Sequence, residues 1–370
     1  MSLEFKVPSF TKHIIPCNRE MAKELPLVSI VVVNFNDKEH LHRCLTSVMK
    51  SEYLSFEIIL VDNGSTDGSV DSIKKAMNEQ RDLMLSIICN KENIGPAAAR
   101  NIGAKKSCGE YLAFLDNDTE VDSLWLKEAI ELMEVDPTVG AIQCKLLLMN
   151  ERDRFDYAGD YLSRYGFLVQ RVNFREVDNG RLDQVAEIFG VKSAGMIVRR
   201  DVFDRIGGFD EGYFIYMEET DLCWRIWLNG YRVVFLPTSI VYHAFGDPAK
   251  FRFGHRRFLS KYHGTKNYIS TLIKNLDVRN MLKTLPVHLI LWVGIVFWHI
   301  LRGRIVEATW IMKGMLWNLV RLKTVWKKRQ KVQHKIRRVS DSHIMPRIMR
   351  EAAFTYLYKK ISRPSSGWRI

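Results

Sequence analysis

Tyr111-Leu112-Ala113-Phe114-Leu115-Asp116-Asn117-Asp118 is the stretch that decides how this chain is read. It reads as a short buried strand ending on two carboxylates one residue apart. Alternate side chains of a strand share a face, so Asp116 and Asp118 point the same way where the strand runs out. In open α/β sheets, ligands bind at that carboxyl end. Two carboxylates there suit a hard divalent cation, Mg²⁺ or Mn²⁺, which takes oxygen ligands and also holds a diphosphate. A polar turn after a buried strand has the same composition, so the pattern takes its weight from the flanking chain.

Upstream, strands and helices alternate. Leu27 to Val33 and Phe56 to Val61 are short, β-branched apolar runs of the kind buried in parallel sheets. Helices are expected over His40 to Lys50 and Ser69 to Asn78. A third strand, Leu85 to Cys89, leads through the loop Asn90 to Gly95 into a helix from Ala97 to Lys106. This order gives a doubly wound parallel unit. No G-x-G-x-x-G follows the first strand, which favours a mononucleotide over a dinucleotide. Asp62, after the second strand, is placed either to accept hydrogen bonds from a base or ribose or to shape the turn with Asn63. Arg100, one helical turn beyond Asn93-Ile94-Gly95-Pro96, faces either a phosphate or solvent.

Downstream, Ser123 to Glu134 reads as a helix and Val139 to Leu148 as a strand. Residues 150–186 are polar, carry six Tyr/Phe and show no clean periodicity; they are expected to form a variable excursion over the active face. Val191 to Arg199 reads as a strand. A helix from Glu218 to Asn229, closed by Gly230, has Glu218, Glu219 and Asp221 in its first turn. These acids either complement the helix dipole or include a general base. Residues two apart on a helix lie about 200° apart, so Glu219 and Asp221 do not share one site. Tyr231 to Leu236 and Ser239 to Tyr242 read as the last strands. His243 follows them, either as a packed residue or as a third metal ligand.

The chain has 370 residues, 47% hydrophobic and 26% charged, with a net charge of +13. From Lys250 onward there are 27 Lys and Arg against 4 Asp and Glu, leaving 28 against 38 for the rest. An acidic body thus carries a basic tail, which points to a polyanionic partner. The six cysteines are scattered, with no C-x-x-C, so reduced cytosolic thiols are expected rather than disulfides or zinc. No secretory signal is read in Met1 to Pro26. Leu285 to Leu301 is apolar over about 17 residues, the short limit for a membrane span. Gly303-Arg304 breaks it, and Arg321 to Arg338 then holds nine basic residues and no acid. Two helices lying on or dipping into the membrane are expected, held by Trp and by Lys/Arg on anionic lipid. A single span and a soluble core helix are the alternatives.

Taken together, the motifs resemble the family 2 inverting glycosyltransferases, and within them the rhamnosyltransferase-like branch. The matching stretches are VSIVVVNFND (28–37), EIILVDNGSTDGS (57–69), NKENIGPAAARNIG (90–103), YLAFLDNDTEV (111–121), GGFDEGYFIYMEETDLCWRIWLNGYRVVFLP (207–237) and VYHAFG (241–246). The resemblance implies an α/β GT-A fold: a Rossmann-like, mostly parallel sheet with helices on both faces. It divides the chain into a lead-in (1–26), a nucleotide-sugar half (27–120), an acceptor half (121–249) and a helical tail (250–370). It implies that Asn34, Asp37, Asp62, Asn93, Gly95, Arg100, Asp116 and Asn117 bind the nucleotide-sugar donor. Asp116, Asp118 and His243 would hold Mg²⁺ or Mn²⁺. The family's acid pair falls on Glu218-Glu219, so Glu219 would be the general base, one methylene longer than the family's Asp, with Asp221 the substitute. The implied activity is metal-dependent sugar transfer to a lipid-linked or glycan acceptor at the cytoplasmic membrane face. Alternatives are a soluble transferase or a non-catalytic protein that binds nucleotide sugars or nucleic acid; the Trp-rich apolar neighbour of the basic run favours lipid over nucleic acid.

Overall fold

The structure, a computed structural model, describes residues 25–78, 85–244 and 255–352. The lead-in up to residue 24, and Phe245 and Gly246 of the last motif, lie outside these residues.

Four parallel strands form the first half: β1 (Val28–Asn34), β2 (Phe56–Asp62), β3 (Leu85–Cys89) and β4 (Tyr111–Asp116). Helices α1 (Lys38–Val48), α2 (Ser69–Asn78) and α3 (Pro96–Lys106) connect them. Leu41, Cys44, Leu45 and Val48 recur at helical spacing and are the buried face of α1. On the other side of the sheet α3 lies close to β1, because Gly103 has no side chain: a Cβ there would come within 2.4 Å of Val31 Cγ1. The register is the functional point of this half. Asn34 pairs with Asp62 and Val33 with Asp116, so three strands deliver polar residues at one level of the carboxyl edge.

The second half adds β5 (Thr119–Val121), α4 (Trp125–Val135), β6 (Val139–Leu148), β7 (Glu151–Tyr157), β8 (Asp160–Leu162), β9 (Leu168–Gln170), β10 (Ala186–Glu187), β11 (Met196–Arg199), α5 (Arg200–Ile206), α6 (Glu218–Leu228) and β12 (Arg232–His243). The main sheet runs β10-β12-β6-β11-β4-β1-β2-β3, with β11 antiparallel to both its neighbours. Residues 150–186 carry strands that the missing periodicity hid: β7 pairs with β6, β8 and β9 form a hairpin, and β10 extends the sheet edge. The outer part of β7 is solvated, which erased the apolar alternation. The last two strands are one, β12, with an irregularity between Leu236 and Ile240 where Pro237 lacks a donor.

The tail is α7 (His255–Asn275), α8 (Val278–Leu301), α9 (Ile305–Val320), α10 (Leu322–Lys331) and α11 (Asp341–Ile348). It is fused to the sheet domain through α7, which packs against α6, α8, α9 and α10. The basic run is only partly a surface. Arg329 is buried and caps α7 by donating to the Leu276 carbonyl at 2.6 Å; Arg337 pairs with Asp341 at 2.7 Å; and Lys328 reaches Asp210.

Candidate active site

The turns after β1 and β2 are stitched to each other. Asn34 is fully buried, and its amide donates to Asp62 Oδ1 (2.8 Å), Ser69 Oγ (2.9 Å) and Ser65 Oγ (3.1 Å). Its own oxygen accepts from Asn117 Nδ2 at 2.7 Å. Asp62 also accepts from the Ser65 amide (2.9 Å) and hydroxyl (2.6 Å). Asp62 therefore does shape its turn, and a carboxylate with about four lone-pair sites still has capacity for a ligand. Asp37 pairs with His40 Nδ1 at 2.8 Å at the start of α1. Asn93 Oδ1 accepts from the Gly95 amide at 2.9 Å and from Asn63 Nδ2 at 3.2 Å. Gly95 adopts φ +86°, and a Cβ there would press on Phe214 at 2.7 Å, so the approach to α3 requires glycine.

At the carboxyl edge three acids gather around Arg100. Its guanidinium donates to Asp116 Oδ1 at 2.8 Å and to Glu218 Oε1 at 3.2 Å, and lies 3.8 Å from Glu219 Oε1. Arg100 is 3% exposed. Burial alone would favour its neutral form, but Asp116, Glu219 and Glu218 raise its pKa. Its two terminal nitrogens are thus held by carboxylates rather than open to a phosphate. Glu218 is buried, with no partner for Oε2 among the described residues; burial and then the neighbouring Glu219 push its pKa well up. Glu219 Oε1 accepts from Ser193 Oγ at 2.7 Å.

Asp118 lies on the far side of Asn117. The antiparallel pairing of β5 with β12 sets His243 opposite Thr119, and His243 Nε2 is 3.3 Å from Asp118 Oδ1. Ligand atoms of Asp116, Asp118 and His243 lie within 4.8 Å of one another. Two carboxylates and an imidazole fit Mg²⁺ or Mn²⁺, and the chemistry of that set is the test the site passes. Asp156 on β7 accepts from His243 Nδ1 at 3.0 Å and lies 3.3 Å from Lys192. A carboxylate behind a ligating histidine fixes its tautomer and ring orientation. Burial would lower the His243 pKa, but Asp118 and Asp156 raise it to about 10.

Asp221, the substitute candidate for the base, stands apart from this cluster. It is fully buried and accepts from Arg225 Nε (3.0 Å) and Asn275 Nδ2 (2.9 Å), with Lys274 Nζ at 2.9 Å. The helical offset turns it away from the Glu219 side and into the seam between α6 and α7. Burial would raise its pKa, yet Lys274 and Arg225 hold it below the usual carboxylate range.

The segment before α6 is strained. Phe214, Tyr216 and Met217 all take positive φ (63°, 68° and 68°) without being glycine. Asn267 on α7 braces it, its amide donating toward the carbonyls of Tyr213 (3.1 Å), Ile215 (3.0 Å) and Tyr216 (2.7 Å). Sequence reasoning missed Asp156, Ser193, Lys192 and Asn267. Asp156 falls where no periodicity is visible, and Asn267 lies in the tail. Only the β6–β7 pairing and the α6–α7 contact bring them to the site.

Residues 29–207 match the model of glycosyl transferase family 2. The chain is 32% identical to the O-antigen biosynthesis protein RfbC of Myxococcus xanthus over 227 residues, 59% of this chain and 17% of that protein. It is 28% identical to glycosyltransferase AglE of Haloferax volcanii over 191 residues, 51% of this chain and 58% of that one. The chain thus spans less than two thirds of the length of these curated relatives. Among solved structures it is similar to GalNAc-T7 with UDP, GalNAc and Mn²⁺ (TM-score 0.54, 20% identity, covering 68% of this chain and 48% of that one). It is also similar to the mannosyltransferase PcManGT of Pyrobaculum calidifontis in complex with GDP-Man and Mn²⁺ (TM-score 0.51, 17% identity, 83% and 85%). At these identities the structural likeness speaks to the fold. Residues 29–207, just under half of the chain, are thus similar to family 2 glycosyltransferases and lie on a GT-A-like fold.

Proposed function

We propose that the protein transfers a sugar from a nucleotide-diphosphate donor to an acceptor hydroxyl with inversion at the anomeric carbon. The observation that carries this reading is the meeting of Asp116, Asp118, His243 and Glu219 at the carboxyl edge, beside the Asn34–Asp62 turns. Asp62 and its turn receive the nucleoside. Asp116, Asp118 and His243 would hold a divalent cation, whose charge would offset that growing on the departing diphosphate.

Glu219 removes the proton of the attacking hydroxyl as its oxygen bonds to the anomeric carbon and the bond to the diphosphate breaks. General-base help of this kind is worth about 10²–10⁴-fold. One displacement suffices, so no nucleophilic side chain is required. Ser193 keeps Glu219 in place through the 2.7 Å hydrogen bond, and Arg100 keeps Glu218, Glu219 and Asp116 together despite their like charge. The acceptor is a lipid-linked or surface glycan, and the enzyme works at the cytoplasmic leaflet. The five cysteines among the described residues are free, as a reducing compartment allows.

The test is to incubate the chain with UDP-, dTDP- and GDP-sugars and to follow release of nucleotide diphosphate and the anomeric configuration of the product by NMR. Turnover of one donor with inverted product supports the reading. Retained configuration, or no turnover and no binding of any donor, contradicts it.

A further inference from the structure

Helices α8 and α9 of the tail leave an apolar face that no other described residue covers. On α8 the exposed side chains Leu282, Ile290, Val293, Phe297 and Leu301 fall on one side of the helix, in a stripe about 100° wide. The opposite side is buried: Met281, His288, Trp292, Ile295, Val296 and His299. On α9, Ile305, Met312, Leu316, Leu319 and Val320 are likewise exposed, and Trp326 follows on α10. Phe297 is 63% exposed and Leu316 56%. A monomer in water rarely keeps so large a contiguous apolar patch.

We propose that this face docks, in the plane of the interface, onto an anionic lipid bilayer. Charge selects the occupant. Between Val278 and Ser340 the sequence holds 14 Lys and Arg and one acid, Glu307, which is buried. Lys283, Arg302, Lys313, Arg321, Lys323 and Lys327 are exposed around the apolar side chains. A second copy of the same face would bring these cations against each other, whereas anionic headgroups pair with them. Aromatic anchors accompany the cations: Arg302 and Arg304 lie over the Trp298 ring at 5.4 and 5.5 Å, and Lys313 over Trp310 at 4.6 Å.

The buried side of α8 decides between lying on the bilayer and crossing it. The helix is 24 residues long, enough by length and composition to cross. Its inner face, however, is tied to the sheet domain through His288. His288 Nδ1 donates to the Tyr165 carbonyl at 2.8 Å, and Trp292 Nε1 donates to His288 Nε2 at 2.8 Å. Phe167 packs on the His288 ring with centroids 4.3 Å apart. Crossing would strip these partners away and leave an imidazole in hydrocarbon. The helix therefore keeps its inner face on the protein and gives its outer face to lipid.

The experiment is flotation of the full chain on preformed vesicles, either phosphatidylcholine alone or phosphatidylcholine with phosphatidylglycerol. Wild type is expected to float with the anionic vesicles and much less with the neutral ones, and alkaline carbonate is expected to release it. Phe297→Asp with Leu316→Asp, and separately Lys323→Glu with Lys327→Glu, are each expected to weaken partitioning by roughly tenfold or more. Because these side chains are exposed, the variants are expected to keep the wild-type circular dichroism spectrum and melting temperature. The proposal is overturned if wild type does not float, if it floats equally on neutral vesicles and resists carbonate, or if the face instead holds a dimer that Phe297→Asp/Leu316→Asp separates. Donor turnover measured without vesicles separates this result from the transferase reading.

Discussion

At the start of α6, Glu218 and Glu219 join Asp116 and Asp118 around the Arg100 guanidinium and the His243 imidazole. Half a turn further on, Asp221 lies with Asp210 among Lys274, Lys328 and Arg225. Both clusters are largely buried, and one four-residue stretch, Glu218 to Asp221, feeds them both. The first has more acids than cations, a Glu218 oxygen with no partner among the described residues and a buried carboxyl pushed toward its neutral form. In the second, three cations face two acids, and both Asp210 and Asp221 stay below the usual carboxylate pKa despite burial, through Lys274 with Lys328 and Arg225. Carboxylates fully answered by cations hold two elements together; an excess of carboxylate waits for a ligand that brings the missing positive charge.

The contrast breaks most directly through one substitution on each side. Glu219→Gln is expected to lower the rate of sugar transfer by about 10²–10⁴-fold, or about 3–5 kcal/mol of barrier, and not to lower the melting temperature, because it relieves like-charge repulsion. Initial rates and a thermal scan on the same preparation check this; a destabilised but active variant would reverse the assignment. Asp221→Asn is expected to do the opposite. It leaves Arg225 and Lys274 short of an anion in a buried seam and costs about 3 kcal/mol of unfolding free energy, read by urea denaturation. A wild-type midpoint would show that the second cluster is not structural.

Smaller effects sharpen the same division. Asp156→Asn removes the charge behind His243 and is expected to weaken Mn²⁺ binding about 10–100-fold, read by calorimetric titration, with the donor turns intact. His263, stacked on Phe214 at 5.4 Å, supplies the mildest test. Burial, and then Lys266, lower its pKa from 6.5 to about 4. Folding therefore favours the neutral ring. Its contribution is complete above pH 6.5 and declines as the pH falls from 6.5 toward 4. His263→Phe is expected to flatten the stability profile over that window; an unchanged profile would assign the pH dependence elsewhere.

The sheet half was legible because each of its signals is local. An apolar run, a polar turn and a helix repeat three times, and the same runs set the register that brings Asn34, Asp62 and Asp116 to one edge. The division between Glu219 and Asp221 was legible as an angle on a helix, though not which of the two faced the cleft. That required α7, whose Lys274 and Asn275 take up Asp221. Asp156 and Asn267 were not legible, since each acts on a residue at least 50 positions away and neither stands in a periodic pattern. The basic run was misjudged in part for the same reason: Lys328, Arg329 and Arg337 look like surface charge in sequence and are internal partners in the fold.

The most direct test of the acid-rich cluster is thermal unfolding of wild type and Asp118→Asn with a nucleotide sugar, each with and without Mn²⁺. The account predicts that donor and Mn²⁺ together stabilise wild type, by about 2.7 kcal/mol at a hundredfold excess over Kd. It predicts that neither stabilises Asp118→Asn comparably. Equal metal-dependent stabilisation of the two proteins would contradict the assignment of Asp116, Asp118 and His243 as the site where metal and diphosphate meet.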